Sequence, residues 1–569
     1  MSSTLARSST GGFRSAARAL QRLTDSHAWM LSIILVLGVA LRVFHLKYLS
    51  LWGDELFSRY YYQTGLRYMW TEGLRWESSP PLYYMAVGAW IQVFGSGEAA
   101  FRLLSAVSSS VAILLVYILG SELLGRPRAL LAAGLFALSA TQIYYAQEAR
   151  PYALLLIPVA VTLLTCARHL REPVSTWNLG CYTVAAILCI YTHATMVFFV
   201  FACALAGLLR VGTLRRLREL GIPTGWIGAN ACVALAALPE LNGMLGHYGD
   251  DQLEWISPVG FYNIGAVLSN TVVGTLTPAD FPGGELAVVL CCLLALALWR
   301  HPPDWRSSVI ILVIPGLYIA CVLVISFFFQ PMMLSRIFVW TGIPICLLLA
   351  HALSVRWRPQ PVVVAVIGIV VSIGLFYQLN TNPDAKEPWR SVISDVRQDL
   401  THADLVVLGP DTGPMGLRYY APQVRRVKIW TEATRPGDRI GNMLFGTPQI
   451  TRNEIIQQIN GKARVVIVLR TDEERILPSL LQDVRAADQR IDHRCRRGDG
   501  QITKYPCGLI VISWHDSGPL LHTISSGTPA FLIEVRRDGL TDQNSPGHLS
   551  PQYRNACAGT SPADRCFEH

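Results

Sequence analysis

Charged residues are scarce in this sequence. Asp, Glu, Lys and Arg make up 15% of the 569 residues, whereas hydrophobic residues make up 51%. A soluble domain of ordinary composition carries about 25% charged residues. From about residue 31 to residue 379, charges occur only in short clusters between apolar runs, and beyond Asn380 they rise to ordinary levels. This pattern excludes a purely soluble protein and predicts a membrane domain followed by a soluble one.

The sequence around the first apolar run contains few small residues that would mark a cleavage site. The first apolar run, 29–46, is long enough to span a bilayer, and no small-residue cleavage site closes it. The basic flank before it consists of Arg7, Arg14, Arg18 and Arg22. We therefore predict a retained signal anchor behind a cytoplasmic tail of residues 1–28. The net charge of +9 does not indicate a nucleic-acid partner, because the basic residues lie beside apolar segments and not on one soluble face.

Long apolar runs fill the chain as far as residue 379. A helix needs about 20 mainly apolar residues to cross a bilayer, and about eleven segments meet this requirement. They are 29–46, 101–122, 129–147, 152–168, 178–193, 195–211, 225–240, 285–299, 307–329, 337–353 and 361–379. The sequence thus predicts a polytopic α-helical membrane domain over residues 29–379.

The basic clusters orient these segments. With the N-terminus in the cytoplasm and the chain alternating, every basic cluster falls inside, as the positive-inside rule requires. The clusters are Arg126 and Arg128; Arg168 and Arg171; Arg215, Arg216 and Arg218; Arg300 and Arg306; Arg356 and Arg358. Two further apolar stretches, 80–94 and 261–275, must then lie at the outer surface, the first inside a long external loop over about 47–100. The C-terminus is predicted to be external.

Residues 380–569 alternate between helical and extended patterns. Helices are predicted at 389–400, 453–459 and 472–487, and strands at 404–408, 424–430, 464–469, 508–514 and 530–535. This indicates an α/β domain, which the topology places in the periplasm. It contains no GxGxxG loop and no P-loop, which disfavours a nucleotide site there.

Cysteines outside the apolar segments are few. They are Cys495, Cys507, Cys557 and Cys566. An even set in an exported domain suggests two disulfides, for which three pairings are possible. Cys495 with Cys507 and Cys557 with Cys566 is the simplest.

Two adjacent carboxylates, Asp54 and Glu55, stand just past the first span. Adjacent carboxylates repel each other, and beside a bilayer they are costly unless they have partners or a function. A solvated loop pair is the alternative. Further along the same loop, Pro80-Pro81 fixes the backbone and begins a surface helix. Tyr83 and Tyr84 in that helix suit the membrane interface, and structural and functional roles are both open.

Other polar residues stand at predicted outer helix ends. Glu148, Arg150 and Tyr152 occupy a tight turn between the third and fourth spans, where a structural salt bridge is the alternative to a shared cavity. His193 ends the fifth span and is more typical of an interface histidine than of a ligand. Arg336 is predicted on the external side, although basic residues are usually enriched in cytoplasmic loops. This exception favours a role in binding an anion. The layout suits a site at the outer surface for a substrate that is half lipid and half polar.

The sequence resembles the GT-C glycosyltransferases, specifically the bacterial branch related to protein O-mannosyltransferases and to the aminoarabinose transferase that modifies lipid A. The resemblance rests on an ordered set of motifs between about residues 50 and 350. They are Trp52-x-Asp54-Glu55, Pro80-Pro81-Leu82-Tyr83-Tyr84, Phe101-Arg102-Leu103, Gln147-Glu148-Ala149-Arg150-x-Tyr152, Tyr191-x-His193 and Ser335-Arg336. No Trp-Trp-Asp motif of oligosaccharyltransferase catalytic subunits is present, which argues against transfer of whole oligosaccharides.

The resemblance implies an inverting transfer of a sugar from a polyprenyl-phosphate carrier to an acceptor hydroxyl at the outer face of a bacterial inner membrane. It implies Asp54 as the base, with Glu55 tuning it or holding the acceptor, and Arg336 and Arg150 on the donor phosphate. The remaining cavity residues that it implies are Glu148, Tyr83, Tyr84, Arg102, Tyr152 and His193. The acceptor could be a lipid, a polysaccharide or a protein, and membrane lipids surround the helices.

A metal is not predicted. Many relatives have a histidine, or a glutamate one residue further back, just before the double proline, whereas this chain has Ser79 and Ser78, with Glu77 displaced by one. A divalent ion at Asp54 or Glu148 stays open, and zinc is not expected. The alternative function is a transporter or flippase of lipid-linked sugars, which the position of the polar residues at helix ends and the lack of a visible repeat disfavour. We expect the external domain to cover the acceptor entrance.

Overall fold

The chain forms two compact units in its computed structural model. One contains Met1–Leu46 and Leu66–Asn380, and the other contains Lys47–Gly65 and Thr381–His569. The structure describes residues 26–75, 77, 79–171, 175–209, 224–246, 256, 258–278, 281–355, 358–381, 386–395, 397–409, 414–430, 446–460, 465–470, 499–504, 509–515 and 533–534. The loop 47–100, predicted to belong wholly to the membrane domain, is divided between the two units: Lys47–Gly65 belongs to the second, and the residues from Leu66 onward belong to the first.

The first unit is helical. Its helices are α1 (Ser26–Val43), α3 (Leu66–Met69), α4 (Pro81–Phe94), α5 (Glu98–Leu124), α6 (Arg126–Leu138), α7 (Ala140–Ala146), α8 (Pro151–Arg171), α9 (Thr176–Thr192), α10 (Met196–Leu208), α11 (Thr224–Gly246), α12 (Phe261–Val272), α13 (Gly283–Arg300), α14 (Trp305–Phe328), α15 (Ser335–Ser354) and α16 (Gln360–Leu379). A π-helical turn, Val309–Val313, interrupts α14, and the first residues of α15, Ser335–Thr341, are 3₁₀-helical.

A helix lies over every segment that the sequence predicts to cross the membrane. Among the described residues, 7 helices are long and apolar enough to span, or 8 if the bent pair α6 and α7 is one span. Helices α4 and α12 have 14 and 12 residues, which is too short to cross a bilayer at about 1.5 Å per residue. The prediction of a polytopic helical membrane protein is confirmed, while the count of about eleven spans stays a prediction.

Small residues let the helices of this unit approach closely. The main core joins α5, α6, α8, α9 and α10 through residues such as Ala112, Ala133 and Ala160, which are almost completely buried. Between α10 and α11, a Cβ atom built on Gly207 would overlap the Trp226 ring. Close packing of this kind is how helices associate in lipid, where burial from water gives no net driving force.

Arg42, on α1, holds the break between α6 and α7. The two helices meet at an angle of 58° around Ser139, where the backbone turns to an extended conformation. Arg42 is completely buried, and its guanidinium donates to the carbonyls of Phe136 and Ala137 at 3.1 and 3.0 Å and from Nε to Ser109 Oγ at 2.8 Å. A continuous helix would pair these carbonyls with backbone N–H groups four residues on. Arg42 therefore replaces the partners that the break removes.

Gln147 ties the far end of α7 to two other helices. Its amide nitrogen donates to the carbonyls of Leu41 and Phe44, at 3.0 and 2.6 Å, where α1 ends. Its amide oxygen accepts a hydrogen bond of 3.0 Å from Gln378 on α16. Carbonyl groups at the end of a helix lack helical partners, so Gln147 supplies donors that an apolar surrounding cannot.

The second unit is an α/β fold. It contains α2 (Gly53–Tyr61), α17 (Trp389–Asp395), α18 (Arg397–His402), α19 (Met415–Tyr420) and α20 (Arg452–Asn460), with strands β1 (Leu405–Leu408), β2 (Val427–Trp430), β3 (Gln449–Ile450), β4 (Val465–Arg470), β5 (Asp499–Lys504), β6 (Leu509–His515) and β7 (Ile533–Glu534). The strand order is β3-β2-β1-β4-β6-β5-β7. The first four strands in this order run parallel, with Val406 opposite Val427 and Val466, and β4, β6, β5 and β7 pair antiparallel.

The predicted α/β character of this region is confirmed. All four residues of β1 are buried, as expected for the interior of a parallel sheet, and this run was predicted as a strand. The sequence missed β3 and β5, because neither carries the Val- and Ile-rich run by which the other strands are identified. The predicted helix 472–487 and the four cysteines Cys495, Cys507, Cys557 and Cys566 lie outside the described residues.

We predict that Arg42→Met destabilises the membrane unit. Methionine fills a similar volume but leaves the carbonyls of Phe136 and Ala137 without a donor, and each unsatisfied buried group costs about 1–3 kcal/mol. The expected result is a lower midpoint of thermal unfolding in detergent than for the unchanged protein.

Arg126→Met is the matched control. Arg126 is exposed at the start of α6, where a positive charge gains nothing from the helix dipole, so its loss should leave the midpoint unchanged. Equal stability of both variants would show that another group satisfies the two carbonyls, and that Arg42 does not hold the break.

Candidate active site

The two adjacent carboxylates begin a short helix. Asp54 and Glu55 lie in the first turn of α2, where negative charge is favourable next to the unpaired N–H groups. Glu55 is completely buried and Asp54 is partly exposed. The Ser58 hydroxyl donates to the Asp54 carbonyl at 2.9 Å, inside the helix. The partly exposed carboxylate is thus the one of the pair that a soluble group can reach.

Aromatic residues cover the following turn of α2. Phe57 and Tyr61 stack with ring centroids 5.1 Å apart, and the Arg59 guanidinium lies 5.2 Å from the Tyr60 ring centroid. Burial raises the pKa of the Tyr60 hydroxyl, an effect that the positive charges of Arg59 and Arg418 partly offset. The phenol is therefore neutral at neutral pH and can donate a hydrogen bond.

A tight turn between α7 and α8 carries Glu148 and Arg150. The Arg150 backbone N–H donates to the Glu148 carbonyl at 2.9 Å, and both side chains are buried. Pro151 begins α8, where its fixed φ suits the first helical position. The turn therefore presents a carboxylate and a guanidinium at one end of the membrane unit.

His193 lies beside this turn. Its ring is 5.7 Å from the ring of Tyr152, and its Nδ1 atom is 3.0 Å from Thr195 Oγ1. The Tyr318 hydroxyl is 3.2 Å from the same Thr195 oxygen and donates to the Ile337 carbonyl at 2.9 Å. A chain of polar groups thus links α8, the turn after α9, α14 and α15.

Arg336 belongs to the same group of residues. Its positive charge acts electrostatically on His193 and on Tyr145, and the charge of Arg150 also acts on His193. Tyr145 in turn packs edge-on against Tyr144 and Tyr152, at 5.0 and 5.2 Å between centroids, and Glu148 acts on it. We call Tyr145, Glu148, Arg150, Tyr152, His193 and Arg336 the arginine cluster.

Tyr83 and Tyr84 lie in a different setting. They begin α4 after the double proline and are almost completely buried. The Tyr84 hydroxyl and the Ser79 N–H both donate to Glu77 Oε1, at 3.0 and 2.9 Å. Glu77 thus fixes the chain as it enters the helix.

Arg102 supports another helix end. It is buried on α5, and its guanidinium donates to the Leu46 carbonyl at 2.9 Å, just after α1. This contact gives Arg102 a structural role at the end of the first span.

The structure brings together five of the residues that the sequence selects, namely Glu148, Arg150, Tyr152, His193 and Arg336. Sequence reasoning missed Tyr145, Thr195 and Tyr318. Tyr318 had a local signal, since it is a hydroxyl within an otherwise apolar helix. Thr195 had none, because a threonine two residues after a histidine is common in any loop.

The described residues contain no group of three or more His, Cys, Asp or Glu side chains that could hold a metal ion. Glu148 is therefore not part of such a three-residue group within the described part of the chain.

Comparison with known proteins relates this arrangement to membrane transferases. Residues 78–240 match the family model described as dolichyl-phosphate-mannose-protein mannosyltransferase. No curated protein sequence matches the chain.

Solved structures match over most of the chain. ArnT from Cupriavidus metallidurans bound to undecaprenyl phosphate has a TM-score of 0.54 and 14% identity, covering 87% of this chain and 100% of that one. The apo state of the same protein has a TM-score of 0.52 and 11% identity, covering 88% of this chain and 100% of that one. The oligosaccharyltransferase of Archaeoglobus fulgidus, tethered to an acceptor peptide, has a TM-score of 0.43 and 11% identity. The match covers 86% of this chain and 74% of that one.

The resemblance inferred from the sequence motifs is confirmed by the family model and by the two structures of ArnT. They agree with the predicted fold class, a helical membrane protein with a C-terminal α/β region. The chain is a multi-pass membrane protein with the GT-C fold found in ArnT, and its residues 78–240 match the protein mannosyltransferase model.

Proposed function

We propose that the protein is an inverting glycosyltransferase that moves a sugar from a polyprenyl-phosphate carrier to an acceptor hydroxyl at the outer face of the bacterial inner membrane. The observation that carries the proposal is the arginine cluster, in which the charges of Arg150 and Arg336, each at the start of an apolar helix, both act on His193. The similarity to ArnT bound to undecaprenyl phosphate supports it.

The charges of the arginine cluster suit a phosphate. Arg150 and Arg336 carry two positive charges and Glu148 one negative charge, so these three residues have an excess of one positive charge. Glu148 and Arg150 are buried, and Arg336 is half-buried. Burying a charge is costly unless it is paired or binds a charged ligand, and a guanidinium can form two parallel hydrogen bonds to phosphate oxygens. Tyr145, Tyr152 and Tyr318 add phenol groups that can orient oxygens without adding charge.

The apolar unit suits a prenyl chain. Its helices expose large hydrophobic side chains such as Phe201, Leu205 and Phe327 to the surrounding lipid. A carrier whose phosphate is held by the arginine cluster would leave its hydrocarbon tail among such helices, where contacts with apolar side chains replace contacts with lipid chains.

Asp54 is the base in this proposal. The acceptor hydroxyl gives its proton to the carboxylate as its oxygen forms a bond to the anomeric carbon. The bond from that carbon to the phosphate oxygen breaks on the opposite face, and the polyprenyl phosphate leaves with the electron pair, so the configuration inverts. Glu55, which is buried in the first turn of the same helix, tunes Asp54 or helps to hold the acceptor. The guanidinium groups of Arg336 and Arg150 stabilise the charge that develops on the leaving phosphate.

The proposed orientation follows the basic clusters. The N-terminus lies in the cytoplasm, and the C-terminal α/β domain lies in the periplasm. Donor and acceptor then meet on the periplasmic side, and the acceptor is a lipid, a polysaccharide or a protein of that compartment.

We predict that Asp54→Asn abolishes transfer. Loss of a general base costs typically 10²–10⁴-fold in rate, and the amide retains the size of the carboxylate. The measurement is transfer of label from a panel of radiolabelled polyprenyl-phosphate sugars to the lipids and proteins of host membranes. The size of the labelled product also identifies the class of acceptor.

Asp404→Asn is the matched control for this experiment. Asp404 lies in the same unit and forms a half-exposed ion pair with Arg426 at 3.6 Å, which is worth little. The same chemical change there should leave transfer intact. Undiminished transfer by Asp54→Asn would contradict the proposed base, and donor binding without transfer by any preparation would favour carrier transport.

We predict that Arg336→Gln and Arg150→Gln weaken donor binding. A hydrogen bond to a charged group contributes about 1.5–3 kcal/mol, which corresponds to roughly 10–100-fold in affinity. Binding of undecaprenyl phosphate to the purified variants, followed by thermal shift, measures the loss. The control is Arg67→Gln, at an exposed position. If all three variants bind undecaprenyl phosphate with equal affinity, the arginine cluster is not the site that binds the donor phosphate.

A further inference from the structure

The helix that carries Asp54 and Glu55 does not cap itself. The residue before it is Trp52, whose side chain accepts no hydrogen bond from the first turn. The first N–H groups of any α-helix lack partners within the helix, and a Ser, Thr, Asp or Asn normally supplies one. The first turn of α2 therefore needs an acceptor from elsewhere in the chain.

Glu387 supplies that acceptor from the C-terminal part of the same unit. Its Oε2 atom accepts a hydrogen bond of 3.0 Å from the Gly53 N–H, which is the first residue of α2. The two residues are 334 positions apart in the sequence. A carboxylate at this place satisfies an unpaired donor and also lies at the positive end of the helix dipole, so it caps α2 in trans.

Glu387 is itself held in a fixed orientation. The same Oε2 atom accepts a second hydrogen bond, of 2.9 Å, from the indole nitrogen of Trp389. Trp389 is almost completely buried, and a Cβ atom added to Gly416 on α19 would overlap its ring. A packed indole therefore fixes the carboxylate, and the carboxylate fixes the start of α2.

The residues just before α2 are attached to the same part of the unit. The Leu51 N–H donates to the Tyr420 hydroxyl at 2.7 Å, and the Lys386 ammonium lies 5.2 Å from the centroid of the Trp52 ring. The Arg390 guanidinium donates to the Lys47 carbonyl at 2.9 Å, and its backbone N–H donates to Ser50 Oγ at 3.2 Å. Residues 47–53 thus gain backbone partners from residues 386–390 and from α19.

The close approach also explains the glycine before Asp54. A Cβ atom at position 53 would lie 3.3 Å from Glu387 Oε1, which is tighter than nearly all real contacts of this kind. A larger residue there would push the carboxylate away from the helix start. The sequence Trp52-Gly53-Asp54-Glu55 therefore combines two carboxylates with a glycine that leaves room for a third carboxylate beside them.

We propose that Glu387 is a positioning residue that caps α2 and thereby fixes the direction of the Asp54 side chain. The inference rests on the proposed function, in which Asp54 takes the proton of the acceptor. It gives the C-terminal domain a part in the chemistry beyond covering the acceptor entrance, because Glu387, Trp389 and Tyr420 hold the segment that carries the base. Glu387 touches the backbone of that segment and is not placed against the substrate.

Three variants test this role. Glu387→Ala removes the cap and should lower kcat about 10²-fold, the typical effect of displacing a catalytic group by about 1 Å, while KM for the donor stays unchanged. Glu387→Gln should restore most of kcat, because its amide oxygen can accept both N–H groups. Tyr420→Phe removes only the hydroxyl that accepts the Leu51 N–H and should lower kcat by a smaller factor, again without a change in KM.

Hydrogen exchange gives a readout that does not depend on the donor or acceptor. In Glu387→Ala the backbone amides of residues 50–56 should exchange faster than in the unchanged protein, and in Glu387→Gln they should not. The matched control is Glu454→Ala. Glu454 also accepts a backbone N–H and a hydroxyl, both from Thr451 at 2.8 and 2.9 Å, at the start of α20 in the same unit. It should change neither exchange at 50–56 nor kcat.

The outcomes separate this inference from the proposed function. If Asp54→Asn is inactive while Glu387→Ala keeps full kcat and unchanged exchange, the positioning role is wrong and the proposed base stands. If Asp54→Asn keeps full transfer, the proposed function fails, and faster exchange in Glu387→Ala would then show a cap with no catalytic consequence. If Glu387→Ala does not fold, Tyr420→Phe decides, and full kcat in that variant overturns the inference.

Discussion

Backbone groups at broken or uncapped helix ends need partners, and the way this chain supplies them governs the rest of its structure. In the membrane unit the break between α6 and α7 frees the carbonyls of Phe136 and Ala137 in an apolar surrounding. Arg42 is buried beside them and donates to both. Water cannot take its place inside a bilayer, so the bend and the arginine depend on each other.

The bend has consequences along α7. Because the helix changes direction at Ser139, its last turn carries Tyr144 and Tyr145 towards the turn that holds Glu148 and Arg150. Gln147 then connects this end to α1 and α16 through three hydrogen bonds. The positions of Tyr145, Glu148 and Arg150 therefore follow from the direction of α7 after the bend, whereas His193 and Arg336 are placed by other helices.

The same need for partners shapes the acidic segment of the second unit. There α2 begins after Trp52, whose side chain does not cap the helix. The donor that needs a partner is the N–H of Gly53. A carboxylate 334 residues later accepts it, held in turn by the indole of Trp389. In both units, one ionised side chain from a distant position replaces a local backbone or side-chain partner, and in both cases the helix so stabilised carries residues of the proposed site. Charged hydrogen bonds suit this role because they are roughly twice as strong as neutral ones.

The sequence by itself determined the features that depend on neighbouring residues. Apolar runs predicted where helices lie, Val- and Ile-rich runs predicted β1, β2, β4 and β6, and the motifs around Glu148, His193 and Arg336 predicted residues that the structure places together. Hydropathy and strand patterns act over a few residues, so one sequence is enough to recognise them. The tertiary structure alone decided the roles of Arg42 and Glu387, the bend at Ser139 and the hydrogen bond from Tyr318 to Thr195 beside His193. Each of these depends on a hydrogen bond or a ring contact between residues far apart in the chain, for which no local pattern exists.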